Sequence, residues 1–192
     1  MIIGVKRSME SNGNIKNKKY RLENEIHPKI FIGIDPGKNG GVAVINEIPD
    51  YEATTSFRCP DSPTKMAYSL VSLIPESVSY DHVKVIIEHV HAMPKQGVVS
   101  MFSFGQNLGQ WEGILGAFEL DVTYTGPRTW MQHYDCKPNL DRKDRKRYLR
   151  GIAEKLFPNI KMTFNVSDAL LIANYNKEIY YKKLVTRVGE KS

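Results

Sequence analysis

Apolar spacing divides the chain into an unpatterned start, a group of short strand-like runs and a longer part in which strands and helices alternate. Residues 1–28 carry no apolar period; Ser11-Asn12-Gly13-Asn14 and the surrounding lysines read as a flexible basic arm, with Met9 a second candidate start. Order is expected from Ile30. Ile30 to Asp35 reads as a strand, and Gly40 to Asn46 as its hairpin partner. Pro36-Gly37-Lys38-Asn39-Gly40 has the composition of the turn between them. Tyr51 to Phe57 alternates as a third strand, Ser62 to Leu73 has helical spacing, and Val83 to Glu88 is a β-branched run typical of a buried strand.

Val98 to Phe118 reads as a long helix. On a helical wheel Phe104, Leu108, Trp111, Leu115 and Phe118 form one apolar arc, while Gly105, Gly109, Gly113 and Gly116 form a separate small-residue arc. Each glycine costs roughly 1 kcal/mol in a helix interior. Four on one side therefore point to close approach of another backbone, either the sheet beneath or a second subunit. Val122 to Tyr124 is a further strand, and Pro127 opens a short helix by the preference of proline for the first turn. Asp141 to Phe157 is a helix stopped by Pro158, and Ser167 to Tyr181 is the last helix. Three leading antiparallel strands followed by alternating strands and helices predict an α/β fold: a mixed sheet with helices on both faces. The expected divisions are the arm at 1–28, one domain at 29–182 and a short tail at 183–192.

Composition narrows the class. The 192 residues, 41% apolar and 25% charged, suit one ordinary domain with a sizeable core. No stretch approaches the roughly 20 apolar residues of a membrane-spanning helix, and the lysine-rich start lacks the pattern of a secretory signal. Cys59 and Cys136 lie far apart without metal-type spacing, which argues against a zinc ribbon or a disulfide scaffold and fits a reducing interior. The net charge of +6 is unevenly spread: residues 1–29 carry +4, residues 137–150 carry +5, and the rest nets −3. Two basic patches on a near-neutral body fit either a polyanionic partner or a solvated basic surface.

The candidate chemistry is acidic. Asp35 ends a buried strand; it either projects into a site at the strand edge or caps the Asp-Pro-Gly turn. Glu88 ends a second such strand, as a site residue or in a surface ion pair. Two carboxylates brought together this way repel each other unless protons or cations compensate, and oxygen ligands favour a hard cation such as Mg²⁺ or Mn²⁺. Asp168 follows Asn165 at the start of the last helix, where Asn165 is a good N-cap and Asp168 suits the helix dipole; an acid there can also face a metal. Arg142, Lys143, Arg145, Lys146, Arg147 and Arg150 crowd the helix from Asp141, whose other half is apolar, as a solvated face or as a grip on phosphates. His89 and His91 share one side of an extended segment without a third soft ligand, so contact with DNA or help at the metal site is favoured over zinc. No serine or cysteine nucleophile has a supporting motif.

Five motifs in order make the chain resemble the RuvC family of Holliday-junction resolvases, within the ribonuclease H-like superfamily. They are Gly33-Ile34-Asp35-Pro36-Gly37, Ile87-Glu88 with Val90-His91-Ala92-Met93, the glycine-bearing helix, Gly126-Pro127-Arg128-Thr129-Trp130, and Ser167-Asp168-Ala169-Leu170. Ala92 to Gly97 is most like phage and organellar members. The resemblance implies a five-stranded mixed sheet flanked by helices and a homodimer that nicks four-way DNA junctions symmetrically. It implies two Mg²⁺ or Mn²⁺ ions per site, held by Asp35, Glu88 and Asp168, and, for a phage protein, the bacterial cytoplasm. His91, Arg128, Arg142, Lys143 and Lys146 are the candidate DNA contacts; Met101, Gly105, Gly109 and Gly113 are the candidate dimer surface.

Two departures stand out. The family usually has a further Asp near position 165, where this chain has Asn165: a neutral ligand, a natural variant or an engineered replacement that traps substrate uncut. Loss of that charge motivates an alternative, a junction-binding protein with weak or abolished catalysis, for which Asn165→Asp is expected to increase cutting while junction affinity changes little. The lysine that bacterial members carry after the Pro-x-x motif aligns with Met131, leaving Lys143 or another base of its helix to serve. A third reading, an actin-like nucleotide binder built on Asp35-Pro36-Gly37 and Gly40-Gly41, lacks room for a second such domain.

Overall fold

The structure, a computed structural model, describes residues 29–89 and 97–189. Five strands form one sheet: β1 (Ile30–Asp35), β2 (Gly41–Asn46), β3 (Ala53–Arg58), β4 (Val83–Glu88) and β5 (Asp121–Thr125), in the order β3-β2-β1-β4-β5. β1 pairs antiparallel with β2 and β2 with β3, whereas β4 runs parallel to both β1 and β5. β1, β2 and β4 are buried on both faces, which is why they read as nearly continuous apolar runs.

Among the described residues, five α-helices cover the sheet: α1 (Pro63–Val71), α2 (Val98–Ala117), α3 (Pro127–His133), α4 (Arg142–Leu156) and α5 (Phe164–Gly189). Local signals start them. Ser62 caps α1 by accepting from the Lys65 N–H, Pro127 occupies the first turn of α3, and Asp141 accepts from the Asp144 N–H at 2.8 Å to cap α4. On one face, Ile32, Ile34, Val42, Val85 and Ile87 pack against Met66 and Leu70 of α1 and Leu108, Trp111 and Leu115 of α2. On the other, Phe31 and Ala43 meet α5, and Ile86 meets Trp130, Leu149, Leu171 and Ile172 from α3, α4 and α5.

Gly33 sets the distance between β1 and α5. A Cβ there would fall 2.3 Å from the Ala173 nitrogen and 2.4 Å from the Ala169 oxygen, so the helix backbone rests directly on the strand.

One expectation is corrected and one alternative is removed. The last helix runs from Phe164 to Gly189, not from Ser167 to Tyr181, because the Thr163 carbonyl already accepts from the Ser167 N–H at 3.0 Å. Asn165 therefore lies inside the first turn and is not an N-cap. The glycine arc of α2 does not lie on the sheet: a Cβ at Gly105, Gly109, Gly113 or Gly116 would meet nothing within 4 Å. Only the apolar arc packs inward. The arm at 1–28 lies outside the described residues. Among the described residues, no helix is long and apolar enough to cross a membrane.

Candidate active site

Strand register and helix docking bring the acids together. Ile34 of β1 pairs with Ile87 of the parallel β4, so Asp35 and Glu88 end neighbouring strands. Strand alternation turns Phe31, Gly33 and Asp35 to the α5 face, as it does Ile86 and Glu88 on β4. The contact of Gly33 with Ala169 and Ala173 lays the first turns of α5 over this end of β1 and brings in Asp168. All three carboxylates line one cleft of about 950 Å³.

The electrostatics follow from that crowding. Glu88 is 8% exposed and accepts a 2.7 Å hydrogen bond from the Trp130 indole N–H. Burial pushes its carboxyl up to about 7, against the pull of Trp130 and Arg145; the Asp168 charge adds to the rise. Burial also raises Asp35 well above the usual carboxylate range, and the nearby Glu88 and Asp168 raise it further. A side-chain hydrogen bond links the two carboxyls, raising Asp35 and lowering Glu88. Burial raises Asp168 too, opposed by Lys146, by a hydrogen bond from Ser167 and by Arg145.

The donor set is all oxygen, which fits a hard divalent cation, and a cation would relieve the strain of three buried like charges. The side chains do not yet form a cage: among the described residues, no three His, Cys, Asp or Glu groups close on a single point. Asp35 and Glu88 instead pair with each other through a side-chain hydrogen bond.

The other expected residues divide. Arg142 and Lys146 line the cleft, whereas Lys143 and Arg128 do not. His91 lies outside the described residues, as does most of the segment behind the phage and organellar likeness. Met101 and Gly105 stand in the cleft wall at the start of α2, while Gly109 and Gly113 face open space beyond it. Asn165 is not among the lining residues. Its side-chain amide donates to the Asn39 carbonyl at 2.7 Å, tying α5 to the β1–β2 turn. The same turn is tied to α2, where the Gly37 N–H donates to Asn107 Oδ1 at 2.7 Å.

Arg145, named in the sequence only with the other bases of its helix, and Trp130, named only within a motif, also join the site. Arg142, Arg145, Lys146 and Leu149 fall at helical spacing on one stripe of α4; Leu149 is buried, so the stripe aims its basic end into the cleft. That stripe was readable and would have separated Lys146 from Lys143. Trp130 had a weaker signal: a buried indole needs an acceptor, but nothing in the sequence says which.

No protein-family model matches the chain, and no curated protein matches it. Solved structures do. RuvC of Thermus thermophilus aligns with a TM-score of 0.50 at 14% identity, over 82% of this chain and 97% of that one. RuvC of T. thermophilus in complex with a Holliday junction substrate aligns at 0.48, with 15% identity over 81% and 96% of the two chains. The fowlpox virus resolvase in complex with Holliday junction DNA aligns at 0.41, with 13% identity over 77% and 98%. At such identity a likeness speaks to architecture alone, and through the first of these alignments the chain has the RuvC-type, ribonuclease H-like fold.

Proposed function

We propose that this protein is a divalent-metal-dependent endonuclease that resolves four-way DNA junctions by paired nicks. One observation carries the reading: Asp35, Glu88 and Asp168 converge in a single cleft of this fold, with Arg142, Arg145 and Lys146 along its rim. A purely acidic cleft would repel a phosphodiester; cations on α4 draw one in.

Asp35, Glu88 and Asp168 would hold Mg²⁺ or Mn²⁺, which when bound supplies an activated water and neutralises charge on the scissile phosphate. The remaining work belongs to the chain. Trp130 fixes the Glu88 carboxylate, and the Gly33 contact holds Asp168 at its distance from Asp35. Lys146, which acts electrostatically on both Asp35 and Asp168, is the base of α4 best placed to touch the phosphate at the reacting centre. Lys146 thereby takes the part that the resemblance leaves open at Met131, itself a lining residue. A junction has two strands to cut about a two-fold axis, so the active form is a C2 dimer, with the open glycine face of α2 as its contact surface.

The test is a labelled four-way junction incubated with Mg²⁺ or with chelator. Paired nicks that need the metal and spare linear duplex are expected. Cutting that survives chelator, or equal cutting of duplex, refutes the reading.

A further inference from the structure

A second cleft lies on the far side of the β1–β2 turn from α4. Lys38, Arg58 and Lys65 bring cations to it, and Ser103, Gln106 and Gln110 of α2 form a neutral hydrogen-bonding wall. It adjoins the carboxylate cleft, since Lys38 and Ser103 line both. Basic groups therefore flank the carboxylates on two sides: Arg142, Arg145 and Lys146 on one, Lys38, Arg58 and Lys65 on the other.

The chemistry of this second cleft is selective. Among the described residues, Asp61 is the single acid in its lining and is already engaged by Lys65 at 2.8 Å, so the cations are in excess. Arg58, at the end of β3, is held in place. Its Nη2 donates to the Lys38 carbonyl at 2.9 Å and lies 3.4 Å from Asn39 Oδ1, and its Nε donates to the same carbonyl at 3.2 Å. The side chain remains exposed. Among the described residues no aromatic side chain lines the cleft, so bases have nothing there to stack on. Its described apolar lining is confined to Cys59 and Pro60, unlike the mostly apolar walls of small-molecule pockets. Fixed cations beside neutral amides match a sugar–phosphate backbone read without regard to sequence.

We infer that the strand being cut passes over the β1–β2 turn, and that Arg58 and Lys65, with Lys38 at the crest, grip the phosphates on one flank of the scissile linkage. This rests on the nuclease reading above and adds to it the path of the substrate strand. The turn suits the crossing because it is clamped by Asn107, Arg58 and Asn165 from three elements.

The experiment measures junction binding against salt for the full chain and for R58Q/K65Q, in Ca²⁺ so that no strand is cut. Single neutral methylphosphonate linkages are walked along both flanks of the cleavage position. Each phosphate contact contributes about 0.9 to the salt slope, so the double variant should lose about 1.8, or tens of fold in affinity near 0.1 M salt. Neutral linkages on one flank should weaken the wild type and have no further effect on the variant. Wild-type binding with an unchanged slope and unchanged methylphosphonate sensitivity in the variant overturns the path but leaves the nuclease reading intact. A wild type that binds no DNA overturns both. Because Arg58 also clamps the turn, K65Q alone is the control: Lys65 lies outside that clamp, and its loss should remove about 0.9 from the slope in a fully folded protein.

Discussion

Replacing Glu88 by glutamine should make the metal-free protein more stable above neutral pH. In Glu88→Gln the amide keeps an oxygen to accept from the Trp130 N–H, so the substitution removes a charge with little change of shape. Burial lifts the Glu88 carboxyl from 4.5 to about 7. Since the folded-state value is raised, the unfolded chain gives up its proton first. Unfolding therefore releases a proton between about pH 4.5 and pH 7, and wild-type stability falls across that window as pH rises. At 1.36 kcal/mol per pKa unit, the loss is on the order of 3 kcal/mol by pH 8. Glutamine does not titrate and escapes it. For a domain of this size, about 2–4 °C per kcal/mol gives a midpoint roughly 6–12 °C above wild type at pH 8 and no difference at pH 4. Asp35 and Asp168 titrate in both proteins, so the difference between their melting curves isolates the Glu88 charge and its effect on Asp35. Circular-dichroism melts in chelator at pH 4, 6 and 8 provide the measurement. A variant no more stable than wild type at pH 8, or a gap independent of pH, would show that Glu88 is not held as a strained carboxylate. Adding Mg²⁺ at pH 8 should raise the wild-type midpoint and narrow the gap.

Other expectations follow from contacts described above. Gly33→Ala drives a methyl into the α5 backbone and should cost about 1–3 kcal/mol or more in denaturant titration; full stability would mean that α5 can move off β1 freely. Asn165→Asp exchanges an amide donor for a carboxylate facing the Asn39 carbonyl, so it should cost about 1 kcal/mol and leave cutting no faster. A gain in cutting rate would restore the four-acid reading that the sequence raises. Lys146→Met should depress metal-dependent cutting far more than Lys143→Met, which lies off the cleft; equal losses would remove Lys146 from the reacting centre. Light scattering should give about 44 kDa, twice the 21.9 kDa chain, and Gly109→Leu or Gly113→Leu should yield monomers that retain their fold, since a side chain there meets nothing within its own subunit. A glycine variant that remains dimeric and active would place the subunit contact elsewhere.

Much of the scaffold was legible because its signals are local. Buried strands β1 and β4 announce themselves as β-branched runs, Pro127 and Asp141 mark helix starts, and the Leu108–Trp111–Leu115 arc gives the buried side of α2. The placement of Asp35 and Glu88 at the ends of buried strands was legible too, although a turn cap or an ion pair would account for the same acids; that they share one cleft with Asp168 was not. What was hidden depends on tertiary partners. Asn165 has the chemistry of a cap, yet its partner is the Asn39 carbonyl, brought close only by the docking of α5. The ends of α5 were missed because its C-terminal turns carry polar and basic residues without a sustained apolar stripe. The glycine arc was ambiguous in principle, since small residues serve equally well against a sheet or against another chain.

The seating of α5 on Gly33 also bears on the order in which the protein is made. Asp35 and Glu88 emerge early during synthesis, within strands that can pair as soon as β4 is available. Asp168 arrives with the last helix, and its position is defined only when Ala169 and Ala173 settle on β1. The strand end that carries Asp35 is thus present long before the site is complete. Since a domain generally folds as a unit, a nascent or interrupted chain lacking α5 would hold two of the three acids and leave the inner face of β1 uncovered. Late docking of one helix thereby joins completion of the fold to completion of the site. On the nuclease reading proposed above, fragments released by premature termination would lack Asp168 and, with Phe31 and Ala43 laid bare, be open to proteolysis.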